Sequence, residues 1–160
     1  MTTEPTKPWK ILFVCLGNIC RSPAAEGIMK KYVEAEGLSD RIWVDSAGTC
    51  NYHTGQLADP RMLKAAHRRG YDLTSRARTI TNRDLRDFHL IVAMDSENFR
   101  QVHLLTSDAA SHVKLLSDFL NEDWPKNVPD PYYGGDEGFD FVIDMIEQAC
   151  PKILDTYRKA

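Results

Sequence analysis

The chain is predicted to fold as an α/β three-layer sandwich built around a small parallel sheet. Two observations carry that expectation. Short, β-prone apolar runs alternate with stretches of helical periodicity along the sequence, which is the pattern of successive βαβ units. Several of those runs are apolar throughout rather than alternating, as strands covered on both faces must be. Right-handed crossovers gather the loops that leave such strands on one edge of the sheet. Ligands of open parallel sheets bind at that carboxyl edge.

Trp9–Cys15 (W-K-I-L-F-V-C) is nearly all apolar after Lys10 and reads as the first, central strand. Ser22-Pro23 reads as a helix entrance, with serine as cap and proline at the first helical position. Ala25, Ile28, Met29 and Tyr32 supply the buried stripe of that helix, and Gly37 ends it. Arg41–Ser46 is the second strand. Asp59–Arg69 is an amphipathic helix closed by Gly70. His89–Met94 is the third strand, and Asp95 or Ser96 caps a helix running to about Leu105. Val113–Leu116 is the fourth strand. Phe141, Val142, Met145, Ile146, Ala149, Ile153 and Tyr157 follow helical spacing through a long final helix. Pro151 lies inside that pattern and predicts a kink or break near Cys150.

A length of 160 residues with 42% hydrophobic content fits one domain, residues 9–160, behind a flexible polar tail, 1–8. The net charge is -3 and the charges are interspersed, so no basic stripe points to nucleic acid or an anionic membrane. Arg76-Ala77-Arg78 reads as a solvated basic turn. The N-terminal residues lack the apolar segment of a signal peptide. No apolar run approaches the roughly 20 residues that span a bilayer. A soluble, cytoplasmic protein with reduced thiols is the expectation.

The chemistry is concentrated at Cys15–Ser22, C-L-G-N-I-C-R-S. A thiol leaves the end of a strand, a Gly17-Asn18 turn follows, and Arg21 stands just before a helix. A loop curling from strand to helix aims its N–H groups inward over the positive end of the helix dipole. That field favours a thiolate and a phosphate dianion alike, and such settings lower cysteine pKa values to roughly 3.5–7.5. Gly17 and Asn18 are suited to left-handed backbone in an anion nest. Arg21 supplies a planar fork for two phosphate oxygens. Ser22 can donate to the sulfur. The spacing C-x-x-x-x-x-R alone is common by chance; the strand, the Gly-Asn pair, the Arg-Ser pair and the helix together mark the anion site. No nucleotide-loop pattern is present.

Phosphoryl transfer to a thiol also requires an acid for the departing oxygen. Asp130 lies between two prolines in P-D-P-Y-Y-G-G, Pro129–Gly135, a stiff segment able to fix a carboxyl group. By itself that segment is a well-made turn. Paired with the cysteine loop, it becomes the candidate acid loop, with Tyr132 and Tyr133 as flat walls for an aromatic leaving group.

The motifs V-C-L-G-N-I-C-R-S-P-A-A-E (Val14–Glu26), D-S-A-G-T (Asp45–Thr49), A-M-D (Ala93–Asp95) and D-P-Y-Y-G-G (Asp130–Gly135) resemble those of the low-molecular-weight protein tyrosine phosphatases. The likeness runs from about Trp9 to Tyr157. It implies a four-stranded parallel twisted sheet flanked by helices, flavodoxin- or Rossmann-like, with no metal or organic cofactor. It implies that Cys15 is the nucleophile that becomes phosphocysteine and that Arg21 binds phosphate and the transition state. Asp130 would act as general acid and then general base. Leu16, Gly17, Asn18, Ile19, Cys20, Arg21 and Ser22 would form the phosphate loop, with Ser22 assisting the leaving thiolate. Ser46 would support Asn18, Asp95 would be a further support or a plain helix cap, and Tyr52, Tyr132 and Tyr133 would line the pocket. The substrate would be a tyrosine-phosphorylated protein, with no nucleic acid or membrane partner; the oligomeric state stays open.

One departure from the resemblance concerns Ser75. Mammalian members place there a histidine that supports the loop asparagine, so Asn18 needs another partner in this chain. By the same resemblance Cys20 can pair reversibly with Cys15 under peroxide; it can equally be a small loop-filling residue. Cys150 falls on the apolar stripe of the last helix. Cys50 and His53 have C-x-x-H spacing without a second ligand pair, too little for a metal site. His67, His89, His103 and His112 show no catalytic grouping. Two other functions compete. A thiol-dependent arsenate reductase of the same fold would need an extra cysteine pair, and Asn82–Met94 contains none. A non-catalytic phosphotyrosine-binding module would need neither Cys15 nor Asp130.

Overall fold

The structure, a computed structural model, describes residues 7–106 and 110–160; most of the predicted tail lies outside the described residues. Four strands form one parallel sheet in the order β2-β1-β3-β4. The central strand β1 (Trp9–Cys15) pairs with β2 (Ile42–Gly48) on one side and β3 (Leu90–Ala93) on the other. Beyond β3 lies the edge strand β4 (Val113–Leu115). The register sets Cys15 opposite Gly48 and Val14 opposite Ala93, so the carboxyl ends of three neighbouring strands come level. A four-stranded parallel sheet flanked by helices was the expected fold, and it is the fold found.

The period-2 alternation of β1 divides the core. Ile11 and Phe13 point to the layer formed by α1 (Arg21–Ala35), α2 (Pro60–Arg68) and α5 (Asp136–Lys159), where Ile28, Met62 and Ile146 are buried with them. Leu12 and Val14 point the other way, toward Leu85 of α3 (Asn82–Asp87) and Val102 of α4 (Ser96–His103). Burial on both faces is why the first and third strands carry no polar alternation. Gly37 and Gly70 take φ values of 69° and 85° just past α1 and α2, the left-handed conformation that ends a helix most cheaply in glycine. No helix among the described residues is long and apolar enough to cross a membrane.

Three expectations need correction. Helix α3 was not anticipated: six residues are too few to show periodicity, and its signal is a capping box between Thr81 and Asp84. Arg76-Ala77-Arg78 is not a solvated turn. Arg78 is half-buried and pairs with Asp45 at 3.0 Å and Asp84 at 3.0 Å, and Arg76 donates to the Gly55 carbonyl at 3.0 Å. Finally, of the kink or break expected near Cys150, the break does not occur: α5 continues through Pro151 over 24 residues. Proline there removes the N–H that the Glu147 carbonyl would accept. The Tyr32 hydroxyl donates to that carbonyl instead, at 3.4 Å.

Because the Pro151 side chain is exposed, its replacement loses little packing. Pro151→Ala restores the helical hydrogen bond and is expected to raise stability by about 1–2 kcal/mol, a part of the roughly 3 kcal/mol interior-proline cost offset by a freer unfolded chain. Urea unfolding checks this; unchanged or reduced stability would contradict it.

Candidate active site

Cys15 ends β1, and the next five residues turn back over the start of α1. Asn18 takes φ 57° at the apex of that turn. Its backbone N–H points at the Cys15 sulfur, 3.3 Å away. Ser22 is not the helix cap expected from its place before proline. The cap position is Cys20, which receives no side-chain cap from the described residues, and the first turn of α1 carries no acidic side chain. The Ser22 hydroxyl is committed elsewhere: Oγ lies 3.0 Å from Cys15 Sγ and accepts from Asn18 Nδ2 at 2.7 Å. An uncapped helix start leaves its N–H dipoles free for an anion.

Asn18 ties the loop to the rest of the sheet edge. Nδ2 also donates to Ser46 Oγ at 3.0 Å, and Oδ1 accepts from the Arg78 N–H at 3.0 Å. The partner that takes the place of a residue-75 histidine is therefore a backbone amide three residues further on. Ser46 Oγ donates to Glu26 Oε1 at 2.6 Å, and Lys30 binds the other oxygen of that carboxylate at 2.6 Å. The loop backbone is anchored from β2 and the segment after it: the N–H groups of Thr49, Cys50 and Asp59 donate to the carbonyls of Cys15, Leu16 and Ile19. Gly48 makes this approach possible, since a Cβ there would sit 2.7 Å from the Leu16 carbonyl oxygen.

Arg21 is almost wholly buried. Its Nη1 donates to Asp95 Oδ2 at 2.6 Å and to the Val128 carbonyl at 3.1 Å, and Nη2 lies 3.5 Å from Asp130 Oδ2. Burial works against its charge, but the Cys15 sulfur, Asp95 and Asp130 outweigh it and raise the guanidinium pKa. Asp95 fills both roles considered for it, because Oδ1 caps α4 by accepting from the Asn98 N–H at 2.8 Å. Asp130 caps a single 3-10 turn, Pro131–Tyr133, through Oδ1 at 3.0 Å from the Tyr132 N–H. The segment leading to it is held to the end of β3 by Val128 N–H donating to the Met94 carbonyl at 2.9 Å.

Cys15, Arg21 and Asp130 line one pocket, with Tyr52, Tyr132 and Tyr133 among its walls. Tyr132 and Tyr133 meet edge to face, with centroids 5.0 Å apart. His53 and Cys50, which the sequence offered only as an incomplete metal pair, belong to the same wall. The His53 ring lies 6.1 Å from that of Tyr132. Among the described residues no group of three or more metal-binding side chains occurs. Cys20 is buried at the floor; burial, then the charges of Asp59, Cys15 and Asp130, push its thiol well up, with Arg61 opposing. Cys150 is core, as expected. The other four histidines are engaged away from the pocket, His112 with the Leu85 carbonyl and His89 with the Lys10 N–H among them.

Sequence reasoning missed Glu26, Arg78 and Arg61. Glu26 had a signal, a carboxylate standing beside the apolar stripe of α1. Arg61 had none, because the Tyr132 and Gly134 carbonyls it reaches lie 71 and 73 residues further along the chain.

Gly48→Ala is expected to lower stability by about 1–3 kcal/mol, as the added methyl must displace loop backbone. Chemical denaturation checks it; a neutral result would mean that the contact relaxes without cost.

The family described as low molecular weight phosphotyrosine protein phosphatase matches residues 10–160. A low molecular weight phosphotyrosine protein phosphatase of Schizosaccharomyces pombe is 39% identical over 89% of this chain and 93% of its own. The solved structure of a protein tyrosine phosphatase from Entamoeba histolytica, with Hepes in its active site, is 43% identical and superposes with a TM-score of 0.91. It covers 94% of this chain and 97% of that one. An arginine phosphatase of Drosophila is 32% identical with a TM-score of 0.85, over 92% of this chain and 97% of its own. With a matching family spanning nearly all of the chain and a fold shared throughout, this protein belongs to the low molecular weight phosphotyrosine protein phosphatases.

Proposed function

We propose that the protein hydrolyses phosphotyrosine in proteins, and aryl phosphate monoesters generally, through a phosphocysteine intermediate. The observation that carries this reading is the convergence of the Cys15 sulfur, the Arg21 fork and the Asp130 carboxyl group on one aromatic-walled pocket. The Asn18 N–H and the Ser22 hydroxyl are directed at that sulfur, and the start of α1 beside it carries no side-chain cap.

In the first step the thiolate attacks phosphorus, the S–P bond forms and the P–O bond to the tyrosyl oxygen breaks. Protonated Asp130 gives its proton to that oxygen. Arg21 and the loop N–H groups hold the equatorial oxygens as charge spreads over them. In the second step water attacks phosphorus, Asp130 takes its proton, and the S–P bond breaks to release phosphate. Ser22 steadies the departing thiolate by its hydroxyl. No other group is needed to balance either step. The nucleophile works only as a reduced thiol, which fits a cytoplasmic location.

Aryl esters suit the tyrosine-rich walls, while the Drosophila relative named an arginine phosphatase makes an N-phosphoryl guanidine the competing substrate class. An arsenate reductase remains the competing redox chemistry; it would need an extra cysteine pair, and Cys20 and Cys50 are the two cysteines that line the pocket besides Cys15.

Cys15→Ser is expected to abolish release of phosphate from phosphotyrosyl peptides, and Asp130→Asn to slow it by about 10²–10⁴-fold, the range of general acid catalysis. Stopped-time phosphate assays without added metal check both, with a phosphoarginyl peptide and thioredoxin-coupled arsenate in parallel. Turnover retained in Cys15→Ser, or faster turnover of either competitor, would overturn the assignment.

A further inference from the structure

We propose that Arg61 is a positioning residue for the acid: it fastens the Asp130 loop to the same anchor that holds the nucleophile loop. This inference rests on the phosphatase reading and extends it to a residue outside the pocket chemistry. Arg61 sits in the first turn of α2. Its Nη2 donates to the Tyr132 carbonyl at 2.9 Å, and Nη1 lies 3.5 Å from the Gly134 carbonyl. Both carbonyls belong to the short segment that follows Asp130. The guanidinium carbon lies 5.5 Å from the centre of the Tyr132 ring and 4.8 Å from that of Phe139 at the start of α5.

On its other side Arg61 is held by Asp59. Nη2 and Nε donate to the two oxygens of that carboxylate at 3.1 and 3.2 Å, and the Arg61 N–H adds a third bond at 2.8 Å. Asp59 is buried, and its own N–H donates to the Ile19 carbonyl within the nucleophile loop at 2.8 Å. A continuous path of hydrogen bonds thus joins Ile19 to the segment carrying Asp130. Arg21 reaches the near side of the same segment, at 3.1 Å to the Val128 carbonyl, but its contact with Asp130 itself is looser, at 3.5 Å. A proton donor has to meet the leaving oxygen within hydrogen-bond reach. An error of about 1 Å there can cost 100-fold in rate. Arg61 constrains that error by holding two backbone carbonyls and both oxygens of Asp59 with one planar fork, which the point charge of a lysine does not provide.

The test compares leaving groups. Loss of acid placement slows esters of weakly acidic phenols, which need the proton, and spares those of strongly acidic phenols, which do not. For Arg61→Met, kcat/KM toward phenyl phosphate is expected to fall by about 10- to 100-fold, and that toward 2,4-dinitrophenyl phosphate by less than about twofold. In the Asp130→Asn background Arg61→Met is expected to add no further selective loss. Inhibition by vanadate and the melting temperature monitor the loop and the fold. If Arg61→Met does not fold, Arg61→Lys is measured instead and is expected to show the same selectivity at smaller size. Equal losses on both esters, or a full extra loss in the Asp130→Asn background, would overturn the proposal. Lack of leaving-group selectivity in Asp130→Asn itself would instead overturn the assignment of the acid.

Discussion

Asn18 holds its backbone in a left-handed turn while its side chain makes three hydrogen bonds, to Ser22, Ser46 and the amide of Arg78. Nearly every other feature of the site depends on that set. A left-handed conformation costs an ordinary residue roughly 1–2 kcal/mol, a cost that asparagine can recover by local hydrogen bonding. Here the recovery is also a connection. The bonds reach β2 and the segment before α3, so the curvature of the loop and the alignment of the sheet edge are fixed together. The Ser22 hydroxyl, held by Asn18, is thereby available to the sulfur rather than to the helix start.

The charges around the site follow the same logic of mutual constraint. Arg21 is buried beside a thiol and the part-exposed carboxylates of Asp95 and Asp130, and without those carboxylates its charge would be left uncompensated. Asp95 divides its two oxygens between the guanidinium and the start of α4, while Asp130 divides its own between the guanidinium and a 3-10 turn. Each acid is therefore oriented by backbone on one side and left to face the arginine on the other. Glu26 and Lys30 extend the arrangement outward to solvent from Ser46.

Much of this was legible in the sequence where the signal was local. Continuous apolar runs gave β1 and β3, glycine marked the ends of α1 and α2, and the spacing of Cys15, Asn18 and Arg21 within one turn fixed their proximity. Asp130 was recognisable because its prolines excluded regular structure. The errors arose where a tertiary contact replaced a local rule. Ser22 has the sequence context of a cap, yet its hydroxyl finds a better use beside sulfur. Pro151 has the context of a break, yet the Tyr32 hydroxyl supplies the orphaned carbonyl and packing on both sides carries the helix through. Arg78 has the context of a solvated turn, yet Asp45 from β2 and Asp84 from the next helix claim it. Arg61 lay beyond reach for the same reason, since nothing near it in sequence names the carbonyls it binds.

The thiol and the carboxyl group that face one another across the pocket come from near opposite ends of the chain, on β1 and just before α5. Asp130 comes beside the cysteine loop only when β3 has paired with β1, because Val128 hangs from the Met94 carbonyl just past β3. Parallel pairings of this kind close large loops and form slowly. The groups that line the pocket therefore come together only after the long-range pairings of the sheet have formed.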